Sequence, residues 1–189
     1  MTNEQPSQVF FWRRVDCHGL ERLTLSTGDN RIFADATTIG LEDGGFRIDH
    51  RWELTPAWSV RSCIVEKQDG NGLTSLVIER RDDGWSVNRS VRADLEGAAE
   101  PDLSITPFCN SFPIRQMMAS ECADFTLDTV FIDAAKMTVG RSRQNYRRSG
   151  RDHFHYLDLG FANGFEAQIE VDRLGLVNSY EGLFERIWA

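Results

Sequence analysis

Apolar and polar residues alternate one by one along several stretches of this chain, and a period of two leaves little choice of fold class. Phe46, Ile48, His50, Trp52 and Leu54 alternate with Arg47, Asp49, Arg51 and Glu53. Phe165, Ala167, Ile169 and Val171 alternate with Glu166, Gln168, Glu170 and Asp172. Trp85, Val87 and Val91 alternate with Ser86, Asn88, Ser90 and Arg92, interrupted at Arg89. Successive side chains on a strand point to opposite faces, so each run puts one row on a core and the other in water. Residues that tolerate positive φ separate the runs at short intervals: Asp43-Gly44-Gly45, Asp69-Gly70-Asn71-Gly72, Asp82-Asp83-Gly84, Ser149-Gly150 and Asp172-Arg173-Leu174-Gly175. Strands joined by hairpin-length loops predict a mainly β, many-stranded antiparallel meander.

One segment departs from this pattern. Thr106-Pro107-Phe108-Cys109-Asn110-Ser111-Phe112-Pro113-Ile114-Arg115 contains two prolines, which donate no ladder hydrogen bond and so exclude a central strand. Asn110 and Ser111 sit where a helix N-cap belongs, and Pro113 falls in the first turn. Phe112, Ile114, Met117 and Met118 fit one helical face, so a single helix is predicted over 110–120. The stretch from Tyr180 to Trp188 is apolar enough to dock rather than fray. Nothing resembles a linker, a low-complexity tract or an internal repeat, and one domain over 1–189 is the simplest expectation.

The 189 residues suffice for one well-buried domain, with 41% hydrophobic and 26% charged residues, ordinary proportions for a globular protein. The net charge of −8 argues against nucleic acid, which binds a basic footprint, and against electrostatic docking on an anionic membrane. The start, Met1 to Gln8, is polar, and the apolar run Val9-Phe10-Phe11-Trp12 stops at Arg13-Arg14, too short for a secretory or membrane-spanning segment. The expected location is the cytoplasm. Cys17, Cys63, Cys109 and Cys122 show no short paired spacing and are expected as free, packed thiols.

The Thr106–Arg115 block resembles the motif of a bacterial family known as putative glycolipid-binding proteins, and the resemblance extends from about Trp12 to Phe184. It is carried by Trp12, Gly19-Leu20-Glu21, Trp52, Arg61, Gly84-Trp85, Asp102-Leu103, Gln144 with Tyr146, Asp172 with Gly175-Leu176-Val177, and Tyr180-Glu181-Gly182-Leu183-Phe184. Cys109 stands where the family has threonine, Phe112 where it has leucine, Gln116-Met117 where a second arginine and leucine are common, and Glu181 where proline is usual. The resemblance implies a spiral β-roll: a long antiparallel sheet wrapped around a single central α-helix, assembled as a homodimer. The architecture is also similar to bacterial lipoprotein carriers, which hold acyl chains in an incomplete barrel.

Several residues are candidates for chemistry. Arg115, at the start of a sheet-wrapped helix, must meet a carboxylate, backbone carbonyls or a ligand head group, because an unpaired buried charge is costly. Asn110 is a cap or turn residue, or a ligand contact. Gln144 and Tyr146 match the family pattern and alternate onto one face. Trp12 and Trp52 present rings that stack on sugars, or else pack a core. These six residues form the candidate ligand site. Cys109 has no base nearby to activate it. His153 and His155 share a face at a zinc-compatible spacing but lack a third ligand. Arg141, Arg143, Arg147, Arg148 and Arg151 form either an anion site or a solvated hairpin rim. No nucleophile-elbow, phosphate-loop, dinucleotide or zinc-protease motif occurs, and neither a cofactor nor a catalytic residue is predicted.

The expected function is non-catalytic binding of a glycolipid or lipid, with the acyl chain in an apolar interior. Burying about ten methylenes gains about 8 kcal/mol before the cost of association. The alternative is an interaction protein: a dimeric β-domain with a filled core and no small ligand.

Overall fold

A computed structural model describes residues 7–82 and 84–189. The first six residues of the polar start and Asp83 of the Asp82-Asp83-Gly84 turn lie outside the described residues. Strands dominate, interrupted by one α-helix, which is the expected β-roll class. Fifteen strands belong to a sheet that does not close. Contacts divide the chain into two compact units, Met1–Arg92 with Ile187–Ala189, and Ala93–Arg186.

The first unit carries β1 (Ser7–Arg14), β2 (Gly19–Gly28), β3 (Arg31–Gly40), β4 (Phe46–Leu54), β5 (Val60–Asp69), β6 (Gly72–Arg81), β7 (Gly84–Val87) and β8 (Ser90–Val91). Each strand pairs antiparallel with the next, the meander that the alternation predicts. Its inner rows bury Trp12, Leu23, Ile48, Trp52, Leu54, Ile78 and Trp85 almost completely. The run from Trp85 to Val91 is a hairpin rather than one strand. Asn88 and Arg89 turn the chain with φ of 49° and 70°, and Asn88 Oδ1 accepts from Val77 N at 2.9 Å, holding the turn against β6.

The second unit carries β9 (Pro101–Leu103), α1 (Ser111–Ser120), β10 (Asp124–Asp133), β11 (Thr138–Arg148), β12 (His153–Asp158), β13 (Glu166–Val171), β14 (Val177–Tyr180) and β15 (Phe184–Trp188), whose last residues count with the first unit. From β10 to β15 successive strands pair antiparallel. The pairing of β9 with β10 is parallel, an exception within the otherwise antiparallel sheet that was expected. The reason is the helical segment between them: a chain that crosses back over a dozen or more residues re-enters in the same direction.

The helix forms close to where its pattern predicts, but its start is built differently. Extended Thr106 (φ −131°, ψ 138°) accepts from Phe108 N through Oγ1 at 3.1 Å and opens a tight 3₁₀ turn over Pro107–Asn110. That turn runs straight into α1, so Asn110 already has helical dihedrals (φ −62°, ψ −22°) and makes no cap bond. Its expected role as a cap is therefore replaced by another, described below. Phe112, Ile114 and Met117 are buried and Met118 is half-buried, as the helical face requires.

Exposed Arg89 pays the left-handed backbone cost of a side chain with a Cβ. Arg89→Gly should therefore stabilise the protein by about 0.5–1 kcal/mol, seen as a higher urea midpoint at unchanged slope.

Candidate functional site

In the second unit the strand register gathers polar side chains on one face. Gln144 and Tyr146 lie two apart on β11 and so point the same way; Asp158 faces Gln144 and Tyr156 faces Tyr146 across β12. Asn110 Nδ2 donates to Tyr146 Oη at 2.9 Å, Tyr146 Oη–H donates to Gln144 Oε1 at 3.3 Å, and Gln144 Nε2 donates to Asp102 Oδ2 at 2.5 Å. The chain of donors thus ends on a carboxylate. Beside it, Tyr156 Oη–H donates to Asp158 Oδ2 at 3.2 Å, and Gly160 N donates to Asp158 Oδ1 at 2.7 Å. Asn110, Gln144, Tyr146 and Asp158 are buried, while Asp102 is half-buried. Ser111 Oγ, next to Asn110 in the chain, is buried with no hydrogen-bond partner among the described residues.

Burial pushes the Asp102 carboxyl up to about 6, with the charge of Asp158 adding to the effect and the Gln144 hydrogen bond opposing it. Burial also holds the Tyr146, Tyr156 and Tyr180 hydroxyls well above their ordinary value, so all three stay protonated donors. The rings of Tyr146 and Tyr180 lie edge-on to Tyr156 at 5.2 Å and 5.9 Å.

An exposed apolar loop adjoins this cluster. Leu159, Phe161 and Phe165 are exposed, and Phe161 stacks on Phe131 with ring centroids 4.6 Å apart. Phe131 faces Asp102 on one side and Gly140 on the other, and Gly140 precedes Gln144 on the same face of β11. The loop is tied at both ends by Asp158 N to Phe165 O at 2.8 Å and Gly164 N to Asp158 O at 2.9 Å. Phe161 N donates to Ser142 Oγ at 3.2 Å. Glycine is needed at 160, where a Cβ would lie 2.7 Å from Arg143 N.

Arg115 stands apart from the network. Its Nη1 donates to Leu174 O in the β13–β14 turn, where Gly175 has φ 76° and a Cβ would meet Arg115 Cγ at 2.7 Å. This is the carbonyl clamp among its expected roles. Trp12 and Trp52 belong to the first unit: Trp12 stacks on Phe10 at 5.7 Å, and Trp52 Nε1 donates to His50 Nδ1 at 2.7 Å. Of the six candidate residues, the fold therefore brings together Asn110, Gln144 and Tyr146.

The remaining candidates have local partners. His155 Nε2 lies 3.2 Å from Glu166 Oε2, and His153 is exposed; no group of three metal-binding side chains occurs among the described residues. Cys109 Sγ accepts from Leu103 N at 3.3 Å. Arg141 pairs with Asp128 at 2.6 Å, and Arg147 and Arg151 are exposed, the arrangement of a solvated rim. Sequence reasoning missed Asp102, Ser111 and Tyr156 as members of the site. The available signal was the alternation Phe154, Tyr156, Asp158, which puts two polar groups in a buried row.

Two outcomes follow from this geometry. A carboxyl raised in the folded state stabilises in its protonated form, so Asp102's contribution is greatest below its ordinary value of 3.8 and is lost as pH rises through about 6. Asp102→Asn should flatten that part of the stability–pH curve and gain at most about 3 kcal/mol at pH 7.5, measured by urea unfolding across pH 4–8. Arg115→Met, which keeps the packing stem and removes the clamp, should cost about 1–2 kcal/mol without any ligand present.

Comparisons with known proteins agree with this architecture. No curated protein matches the chain. The crystal structure of a DUF1089 family protein from Pseudomonas aeruginosa, at 1.80 Å resolution, superposes with a TM-score of 0.75 over 89% of this chain and 92% of the other, at 24% identity, a likeness that concerns the fold. The family model described as "Putative glycolipid-binding" matches residues 9–186, nearly the whole chain, and the protein belongs to that family.

Proposed function

We propose that the protein is a non-catalytic binder of an amphiphile, a glycolipid or lipid, working in the cytoplasm as a homodimer. The observation that carries this reading is the junction of two unlike surfaces on one face of the second unit. Asp102, half-buried at the end of the Asn110–Tyr146–Gln144 chain, offers an acceptor to head-group hydroxyls, while exposed Leu159, Phe161 and Phe165 offer apolar area to a chain. Amide, carboxylate and tyrosine groups orient hydroxyls, and apolar contact supplies most of the affinity. The family description supports the ligand class. Four cysteines without disulfides support a reducing compartment, and the homodimer rests on the family resemblance. The network's close burial favours a second reading, an interaction protein whose polar chain serves only to hold the core.

Native mass spectrometry of freshly purified protein, followed by denaturing extraction, separates the two. The expected result is an added mass that extracts as a glycolipid or lipid, with Phe161→Ser lowering affinity for it by about tenfold. Clean protein that takes up nothing from a mixed lipid extract would favour the interaction protein.

A further inference from the structure

The inner face of the first unit holds polar groups where apolar ones would serve packing better. Glu21, Thr38 and His50 are 2%, 1% and 0% exposed on the face that buries Trp12, Leu23 and Trp52. Register puts Trp12 opposite Glu21, Glu21 opposite Thr38, and Thr38 opposite Ile48, forming one row across four strands. His50, on the strand of Ile48, begins the next row inward, opposite Ala36.

The tautomer of His50 is determined by its neighbour. An indole N–H only donates, so the bond from Trp52 Nε1 to His50 Nδ1 at 2.7 Å requires Nδ1 to accept, and the ring's single proton sits on Nε2. Nε2–H is then a buried donor with no hydrogen-bond partner among the described residues; Glu21 Oε1, at 3.7 Å, is too far to be one. Thr38 Oγ1 is buried in the same condition. Unmatched buried polar groups are costly, and two of them beside a carboxylate need an explanation.

The row lies just inside the strand ends. The next row outward has Gly40 opposite Phe46, and the half-buried Phe46 ring lies across the glycine, where a Cβ would be 2.6 Å from Phe46 Cε1. Arg14 packs on Gly19 at the same end and pairs with Asp16 and, at 3.4 Å, with Glu42. One arginine therefore stands among Asp16, Glu21 and Glu42, and an anionic ligand is repelled. A hydroxyl suits this environment, since its two lone pairs accept from Nε2–H and from Thr38 Oγ1–H while its own proton is donated to a carboxylate. We propose that the Glu21–Thr38–His50 row, flanked by Trp12 and Trp52 and closed by Phe46, is a binding site for a neutral polyol such as a glycosyl group, distinct from the Asp102 network.

Trp12 and Trp52 flank the row, so tryptophan fluorescence reads this site. The probe is octyl glucoside below its critical micelle concentration, titrated into the full chain with octyl sulfate as the anionic control. The expected result is a saturable fluorescence change with the glucoside and a much weaker one with the sulfate. Thr38→Val, which removes the hydroxyl at nearly constant shape, should weaken the glucoside response about tenfold, and Thr38→Ser should retain it. An unchanged titration in Thr38→Val, together with a raised melting temperature, would assign the row a structural role and overturn the site. Equal response to the sulfate would overturn the neutral ligand class. No fluorescence response while the extracted protein still carries lipid would overturn the site and leave the amphiphile reading standing.

Discussion

A slip of β11 by one residue against its neighbours would turn Gln144 and Tyr146 into water and bring Arg143, Asn145 and Arg147 onto the buried face. Asp102 and Asn110 would lose their partners at the same stroke, since each bonds to a side chain that β11 presents. Both faces resist such a slip. On the outer row Arg141 bonds Asp128, and Asn145 bonds Asp124 and Thr126 across β10, so the solvated side chains specify the same register as the buried ones. The candidate site is thus a consequence of strand pairing, with the helix supplying one further donor through Asn110.

The two units treat buried polarity differently. In the second, nearly every polar group in the row hands a hydrogen bond to the next, and the sequence of donors ends on the Asp102 carboxyl, which burial holds partly protonated near pH 6. Such a network stiffens the core because each bond orients its neighbour. In the first, the Trp52 indole fixes His50 as a neutral ring and leaves its other nitrogen facing a carboxylate across a gap. The closed network orients its own members and leaves only its carboxyl end for a ligand, whereas the open one leaves a buried donor unmet.

Much of this was legible in the chain. Period two located β4 to the residue and β13 to within one, because solvent on one side and core on the other impose the alternation directly. The helix was legible from Pro107 and Pro113 and from the spacing of Phe112, Ile114 and Met117. The role of Asn110 was not, since a cap and a helical residue that reaches a distant tyrosine have the same local sequence. Gln144 and Tyr146 could be paired by their spacing alone. Asp102 could not, because its partner is 42 positions away and a three-residue strand has no periodicity to detect. Likewise the parallel pairing of β9 depends on where the helix returns the chain, which no local pattern records.

That parallel pairing bears on the order of assembly. Every other strand pair in the second unit joins neighbours in sequence and can close as a local hairpin or short loop. β9 can reach β10 only after the segment carrying α1 has folded back between them, so the entropy of closing that loop must be met before a three-residue ladder repays any of it. Asp102 rides on this last strand. The carboxyl that completes the polar chain is therefore delivered late, and until it arrives Gln144 Nε2 lacks its carboxylate partner.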